Sequence, residues 1–178
     1  MTELTEFQRK LSALLPDVEL RYEEALAKHT SFRIGGNAEV MAFPKTKEEL
    51  ADILKICAEL NHKCAILGAG TNVLAPDEGV RGLVVCLKDC LGGMERLDET
   101  RIRVMAGMTM ARAAANAANL GLAGMEFAHG IPGTVGGGVY MNAGAYGGEI
   151  CQICESVEVM DFDGKLFRLS NTEMAFSY

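Results

Sequence analysis

Half of the glycines in this chain crowd into one short stretch. Ten of the twenty lie between Gly121 and Gly148, within a chain of 178 residues. The run reads Gly130-Ile131-Pro132-Gly133-Thr134-Val135-Gly136-Gly137-Gly138, then Asn142-Ala143-Gly144-Ala145-Tyr146-Gly147-Gly148. Glycine is disfavoured in regular structure by roughly 0.5–1 kcal/mol against alanine. Turns at positive φ explain two or three of these glycines, but not a Gly-Gly-Gly run among apolar residues. The cluster predicts backbone pressed against a large anionic ligand, with amide donors at a helix start facing a diphosphate. No Lys or Arg lies between Phe127 and Gly148, so a phosphate held there relies on amide dipoles.

A smaller loop, Gly68-Ala69-Gly70-Thr71-Asn72, follows the apolar strand expected at 63–67. It is not a dinucleotide fingerprint, because position 73 is Val and Pro76 stands where a helix would propagate. Nor does Gly-Lys-Ser/Thr follow, as a Walker loop requires. A plain strand-end turn and a nest of donors for a phosphate both fit these residues.

Charge excludes other functions. Lys plus Arg total 17 against 24 Asp plus Glu, a net charge of -7, so a polyanion-binding surface is not expected. Without Trp, and with 6% aromatic residues, a stacking platform for single strands is not expected either. The opening MTELTEFQRK mixes acids and bases unlike a signal peptide. The longest uncharged stretch, 127–148, is too glycine-rich for a membrane helix, so a soluble, cytoplasmic protein is expected. Six cysteines allow a C-x-x-C at Cys151/Cys154 and a C-x3-C at Cys86/Cys90. Because Cys86 lies in the apolar run LVVCL, the six are read as small buried hydrophobes, with no metal site.

The pattern alternates helix and strand. Leu4, Phe7, Leu11 and Leu14 predict a helix over 3–15. A strand over 38–43, a helix capped by Thr46 with stripe Leu50, Ile53, Leu54, Cys57 and Leu60, and the strand at 63–67 form a parallel crossover unit. A strand at 83–87 and a hairpin around Asp98-Glu99-Thr100 follow. Thr109 caps a helix to Asn119 whose inner face is Ala113, Ala114, Ala117 and Ala118. A second hairpin turns at Asp163-Gly164, and Ser170 with Glu173 opens a helix that the chain end cuts short. The fold class is α+β, with a lead-in over 1–22, a first lobe over 23–98 and a second over 99–178.

With both loops in view, the sequence resembles the UDP-N-acetylenolpyruvoylglucosamine reductase (MurB) family. The matching pieces are His29-Thr30-Ser31-Phe32-Arg33-Ile34-Gly35-Gly36, Leu67-Gly68-Ala69-Gly70-Thr71-Asn72-Val73-Leu74, the whole of 130–149, and the final Phe176-Ser177-Tyr178. The resemblance implies a two-lobed FAD-binding domain of the p-cresol-methylhydroxylase / vanillyl-alcohol-oxidase type, with FAD held noncovalently between α+β lobes. In that family NADPH reduces the flavin, which passes hydride to the enolpyruvyl ether of UDP-N-acetylglucosamine and yields UDP-N-acetylmuramate for peptidoglycan.

Carried over residue by residue, the cofactor-binding positions are Gly68, Ala69, Gly70, Thr71, Asn72, Gly130, Ile131, Pro132, Gly133, Thr134, Gly136, Gly137, Asn142, Ala143, Gly144 and Tyr146. Tyr178 is expected beside the substrate. The family's catalytic arginine follows the tyrosine of a Ser-Tyr-Arg ending, and its serine acid and assisting glutamate lie later still. No catalytic residue is therefore assigned, and the chain is expected to be an inactive flavin-binding portion lacking the substrate-binding domain, monomeric when full length. His129 is read as a hydrogen-bonded structural histidine; His29 and Arg33 stay open between a ligand role and an exposed turn. Alternative functions are a non-catalytic flavin module and another FAD oxidase of the same fold.

Overall fold

The computed structural model describes residues 4–178. Thr5 starts the first helix, α1 (Glu6–Leu14): its hydroxyl accepts the Gln8 amide while the Gln8 side chain returns to the Thr5 amide, a capping box. Position 3 of the expected helix lies outside the described residues. Phe7 and Leu11 are buried as the periodicity requires, whereas Leu14 is exposed and Leu15, just past the helix, takes its place in the core.

Contacts divide the chain into two units, the first made of 1–86 with 160–165. Its sheet holds β1 (Glu19–Ala25), β2 (Asn37–Phe43), β3 (Cys64–Leu67) and β4 (Val80–Cys86) in the order β1-β2-β4-β3. β2, β4 and β3 run parallel, and α2 (Lys47–Glu59), capped by Thr46, connects β2 to β3. The crossover unit is therefore present with β4 inserted between its strands. Val40, Met41, Leu83 and Val85 are fully enclosed, as parallel strands covered on both faces must be. β1 is an antiparallel edge strand, paired Glu19↔Phe43 through Ala25↔Asn37. No strand was expected there.

The second unit comprises 87–159 and 166–178. β5 (Met94–Arg96) and β6 (Ile102–Val104) form the expected hairpin, in register Met94↔Val104 to Arg96↔Ile102. Asp98 ties its turn by accepting from the Thr100 and Arg101 amides and from Arg101 Nε. α3 (Met110–Asn119) is capped by Thr109, and Gly121 at φ +74 follows its end. Ala113, Ala114 and Ala117 are buried, but Ala118 is exposed: the inner face is one alanine narrower than expected. A 3-10 turn (Glu126–Gly130) leads to α4 (Val135–Tyr140), β7 (Gly144–Ala145), β8 (Gly148–Glu149) and α5 (Ile150–Ile153). Met110, Ala114, Ala128 and Ile150 form the core beneath them.

β9 (Ser156–Met160) and β10 (Leu166–Ser170) pair as the second hairpin. Ser170 and Glu173 make the expected capping box on α6 (Asn171–Met174). That helix is not cut short by the chain end: Ala175 takes the left-handed conformation at φ 46 and caps it. Among the described residues, no helix is long and apolar enough to cross a membrane.

Candidate functional site

Where β3 ends, the chain turns through Gly68 to Asn72. Gly70 lies at φ +63, and a Cβ there would overlap the His29 carbonyl oxygen. Its own carbonyl accepts the Ser31 amide at 3.0 Å. The Gly36 amide donates to Pro76 O at 2.9 Å, and the Leu26 amide donates to Gly36 O at 3.0 Å. The 29–36 motif is thus stitched to the loop and to the segment after it. His29 is half-buried and pairs with Glu24 at 2.9 Å; this hydrogen bond, helped by Lys28, holds the Glu24 carboxyl below its usual range. Arg33 is exposed at φ +56. Among the described residues, the amides of Ala69, Gly70 and Asn72 meet no protein acceptor, which is what a phosphate nest requires.

The second segment departs from expectation at its centre. Thr134 is buried and its hydroxyl caps α4 by accepting the Gly137 amide at 3.4 Å. The Val135 amide donates to Met108 O at 2.8 Å and the Gly136 amide to Ala106 O at 2.9 Å. The orphan donors of the first helical turn at Val135, Gly136 and Gly137 are therefore satisfied by protein. The glycine run has an internal reason as well. A Cβ on Gly136 would lie 2.9 Å from Ala106 Cβ, and one on Gly138 would lie 2.8 Å from Met110 Sδ. Free donors sit just upstream: among the described residues the amides of Gly133 and Thr134 meet no protein acceptor. Gly130 is exposed with open space where a Cβ would stand. Ile131 donates its amide to Ala128 O at 3.2 Å, and Pro132 is exposed.

Asn142 is bonded within the protein. It is buried at φ 43, its Nδ2 donates to Glu149 Oε2 at 3.0 Å, and its Oδ1 accepts the Cys151 amide at 2.9 Å. A buried amide must find partners, and these come from the protein. The Ala143 amide donates to Gly138 O at 2.8 Å. Gly144 pairs with Glu149 in the short β7–β8 ladder. A Cβ on Gly148 would lie 2.7 Å from the Phe127 ring. Between β7 and β8 stand Tyr146 at φ 53 and Gly147 at φ 84, the two positive φ values of a tight hairpin turn. Tyr146 is 97% exposed and rims a cavity of about 440 Å³ lined also by Phe127, Glu126 and Gln152. Tyr178 is exposed. His129 is exposed in the 3-10 turn, and among the described residues its side chain has no hydrogen-bond partner.

The cysteines are not all buried. Cys57 and Cys86 are, while Cys64, Cys90, Cys151 and Cys154 are half-buried. Hydrogen bonding to Cys57, then burial, push the Cys64 thiol far above the usual range. Sequence reasoning missed Glu149, whose carboxylate accepts from Asn142 Nδ2 and Cys151 Sγ beside the Tyr146 hairpin. Its signal was available: it is the first charged residue after the 127–148 run and stands three before Gln152, a capping-box spacing.

Residues 38–170 match the family described as FAD binding domain. The chain belongs to this FAD-binding domain family. The domain is 41% identical over 165 residues to the UDP-N-acetylenolpyruvoylglucosamine reductase of Clostridioides difficile (strain 630), covering 93% of this chain and 54% of that protein. A solved structure of UDP-N-acetylenolpyruvylglucosamine reductase (MurB) from Thermus caldophilus superposes with a TM-score of 0.70 at 32% identity, over 90% of this chain and 55% of the other. A chitooligosaccharide oxidase matches at TM-score 0.70 and 14% identity, over 93% and 38% of the respective chains, and shares the α+β fold alone. The FAD-binding domain spans about half the length of the reductases it matches.

Proposed function

We propose that this chain is the flavin-binding part of an NADPH-dependent, cytoplasmic reductase that converts UDP-N-acetylglucosamine enolpyruvyl ether to UDP-N-acetylmuramate for peptidoglycan synthesis. The whole enzyme is proposed to act as a monomer. One observation carries the flavin reading: two glycine-bearing loops each leave consecutive or near-consecutive amides without a protein acceptor, in a chain that belongs to the FAD-binding domain family. The similarity to named reductases supports the substrate.

Bound FAD supplies hydride transfer between the nicotinamide and the enolpyruvyl ether. The chain's residues do the holding. Ala69, Gly70 and Asn72, with Gly133 and Thr134, donate backbone N–H groups to the cofactor's polar edges and diphosphate, so no cationic side chain is required. Gly68, Thr71, Gly130, Ile131, Pro132, Gly136, Gly137, Ala143 and Gly144 shape the two loops. Tyr146 shields the cofactor from water, and Tyr178 borders the substrate. Asn142 contributes indirectly, by fixing Glu149 and Cys151.

The test is direct. Purified chain is incubated with FAD, freed of excess by gel filtration, and its visible spectrum recorded. Retained flavin bands, unperturbed by lactate, are expected. Colourless protein sinks the flavin reading; perturbation by lactate alone points to an oxidase of the same fold.

A further inference from the structure

Glu149 closes a ring of side-chain bonds. Its Oε2 accepts from Asn142 Nδ2 at 3.0 Å, and its Oε1 accepts from Cys151 Sγ at 3.2 Å. Asn142 Oδ1 in turn accepts the Cys151 amide at 2.9 Å. The Glu149 amide donates to Gln152 Oε1 at 3.2 Å, and Gln152 Nε2 donates to Gly147 O at 3.4 Å. The same carboxylate raises the Cys151 thiol, so that the sulfur stays a donor.

This ring grips the base of the Tyr146–Gly147 turn. Asn142 precedes β7, Glu149 sits in β8 opposite Gly144, and Gln152 reaches the carbonyl inside the turn. Tyr146 is held at φ 53 although its ring is 97% exposed. Left-handed backbone at a residue with a Cβ persists only where its surroundings over-determine it, and such positions concentrate at ligand sites. The hairpin turn accounts for the positive φ but not for a large aromatic side chain at that position, and the exposed ring is presented to a group outside the fold.

Resting on the flavin reading above, we propose that Glu149 is a positioning residue for the cofactor. Its carboxylate ties Asn142, just before β7, and Cys151 to β8, while its backbone amide seats Gln152 against the turn; together these hold the Tyr146–Gly147 turn in its receiving conformation, so that Tyr146 meets FAD without an ordering cost at binding.

FAD titrations of the wild-type chain, Glu149→Gln, Tyr146→Ala and the double variant, read by quenching of flavin fluorescence, test this. Far-UV circular dichroism and thermal melting run alongside. Glu149→Gln keeps the shape but cannot accept both donors, and is expected to weaken FAD binding roughly tenfold with unchanged dichroism. With Tyr146 already removed, the same change is expected to have little further effect, since residues acting as one unit are not additive. Unchanged affinity in Glu149→Gln, or a full tenfold loss in the absence of Tyr146, overturns the inference and leaves the flavin reading standing. A wild-type chain that binds no FAD overturns both. Should Glu149→Gln unfold, Gly147→Ala strains the same turn at φ +84 with open space for its methyl; weaker binding is expected, and wild-type affinity contradicts the proposal.

Discussion

Gly70 lies directly beneath the carbonyl oxygen of His29: a Cβ on Gly70 would overlap that oxygen, and its backbone is already at φ +63. The loop after β3 and the 29–36 motif are therefore one structural object. Gly70→Ala combines a backbone clash with left-handed strain, and is expected to destabilise the chain by roughly 3 kcal/mol or more. Thermal denaturation checks this; a melting temperature within a degree of wild type would show that the loop moves freely.

Two glycines of the second cluster should part company. Gly136→Ala puts a methyl 2.9 Å from Ala106 Cβ and is expected to lower stability by about 1–3 kcal/mol. Gly130→Ala has open space and is expected to leave stability within roughly 0.5 kcal/mol of wild type, while weakening FAD binding. Denaturant titration and FAD titration on both variants separate packing glycines from ligand-facing ones. Equal destabilisation of the two contradicts the assignment.

The Glu24 cluster sets a pH dependence. The His29 hydrogen bond, with Lys28, depresses the folded carboxyl below its ordinary 4.5. A depressed carboxyl stabilises the fold fully above the unfolded value, and that contribution disappears as pH falls through the folded value. Glu24→Gln is therefore expected to be less stable than wild type at neutral pH, by about 0.5–1 kcal/mol for a partly exposed pair. The gap should close as pH drops below about 4.5. A gap that is constant across the acid range points to lost packing instead.

At the amino-terminal end, Thr5→Ala removes the hydroxyl that accepts the Gln8 amide at 3.2 Å. A loss of about 1 kcal/mol is expected, with Thr5→Ser restoring most of it. No change in denaturant midpoint would mean that α1 adds little to the fold.

Elements with strong periodicity or cap chemistry were legible in the sequence. Thr46 and Thr109 start α2 and α3 where their hydroxyls cap free amides, and the Asp98 turn forms as its side-chain bonding requires. β1 was not legible, because Glu19, Arg21 and Glu23 face solvent and half-buried Glu24 stands on the inner side. A charged edge strand carries no clean hydrophobic alternation. In the site, the glycine cluster was visible but its cause was only partly so. Gly136 and Gly138 answer to Ala106 and Met110, contacts made across sequence that no local pattern encodes. The bonds of Asn142 to Glu149 and Cys151 were not legible, because nothing in the sequence shows which way its side chain turns.

Calorimetric titration of the purified chain with FAD and, in parallel, with riboflavin tests the central claim most directly, because the two ligands share the ring system and differ in the diphosphate. Backbone amides that hold the diphosphate predict FAD binding at least roughly tenfold tighter than riboflavin. No FAD binding, or equal affinity for the two, contradicts the account.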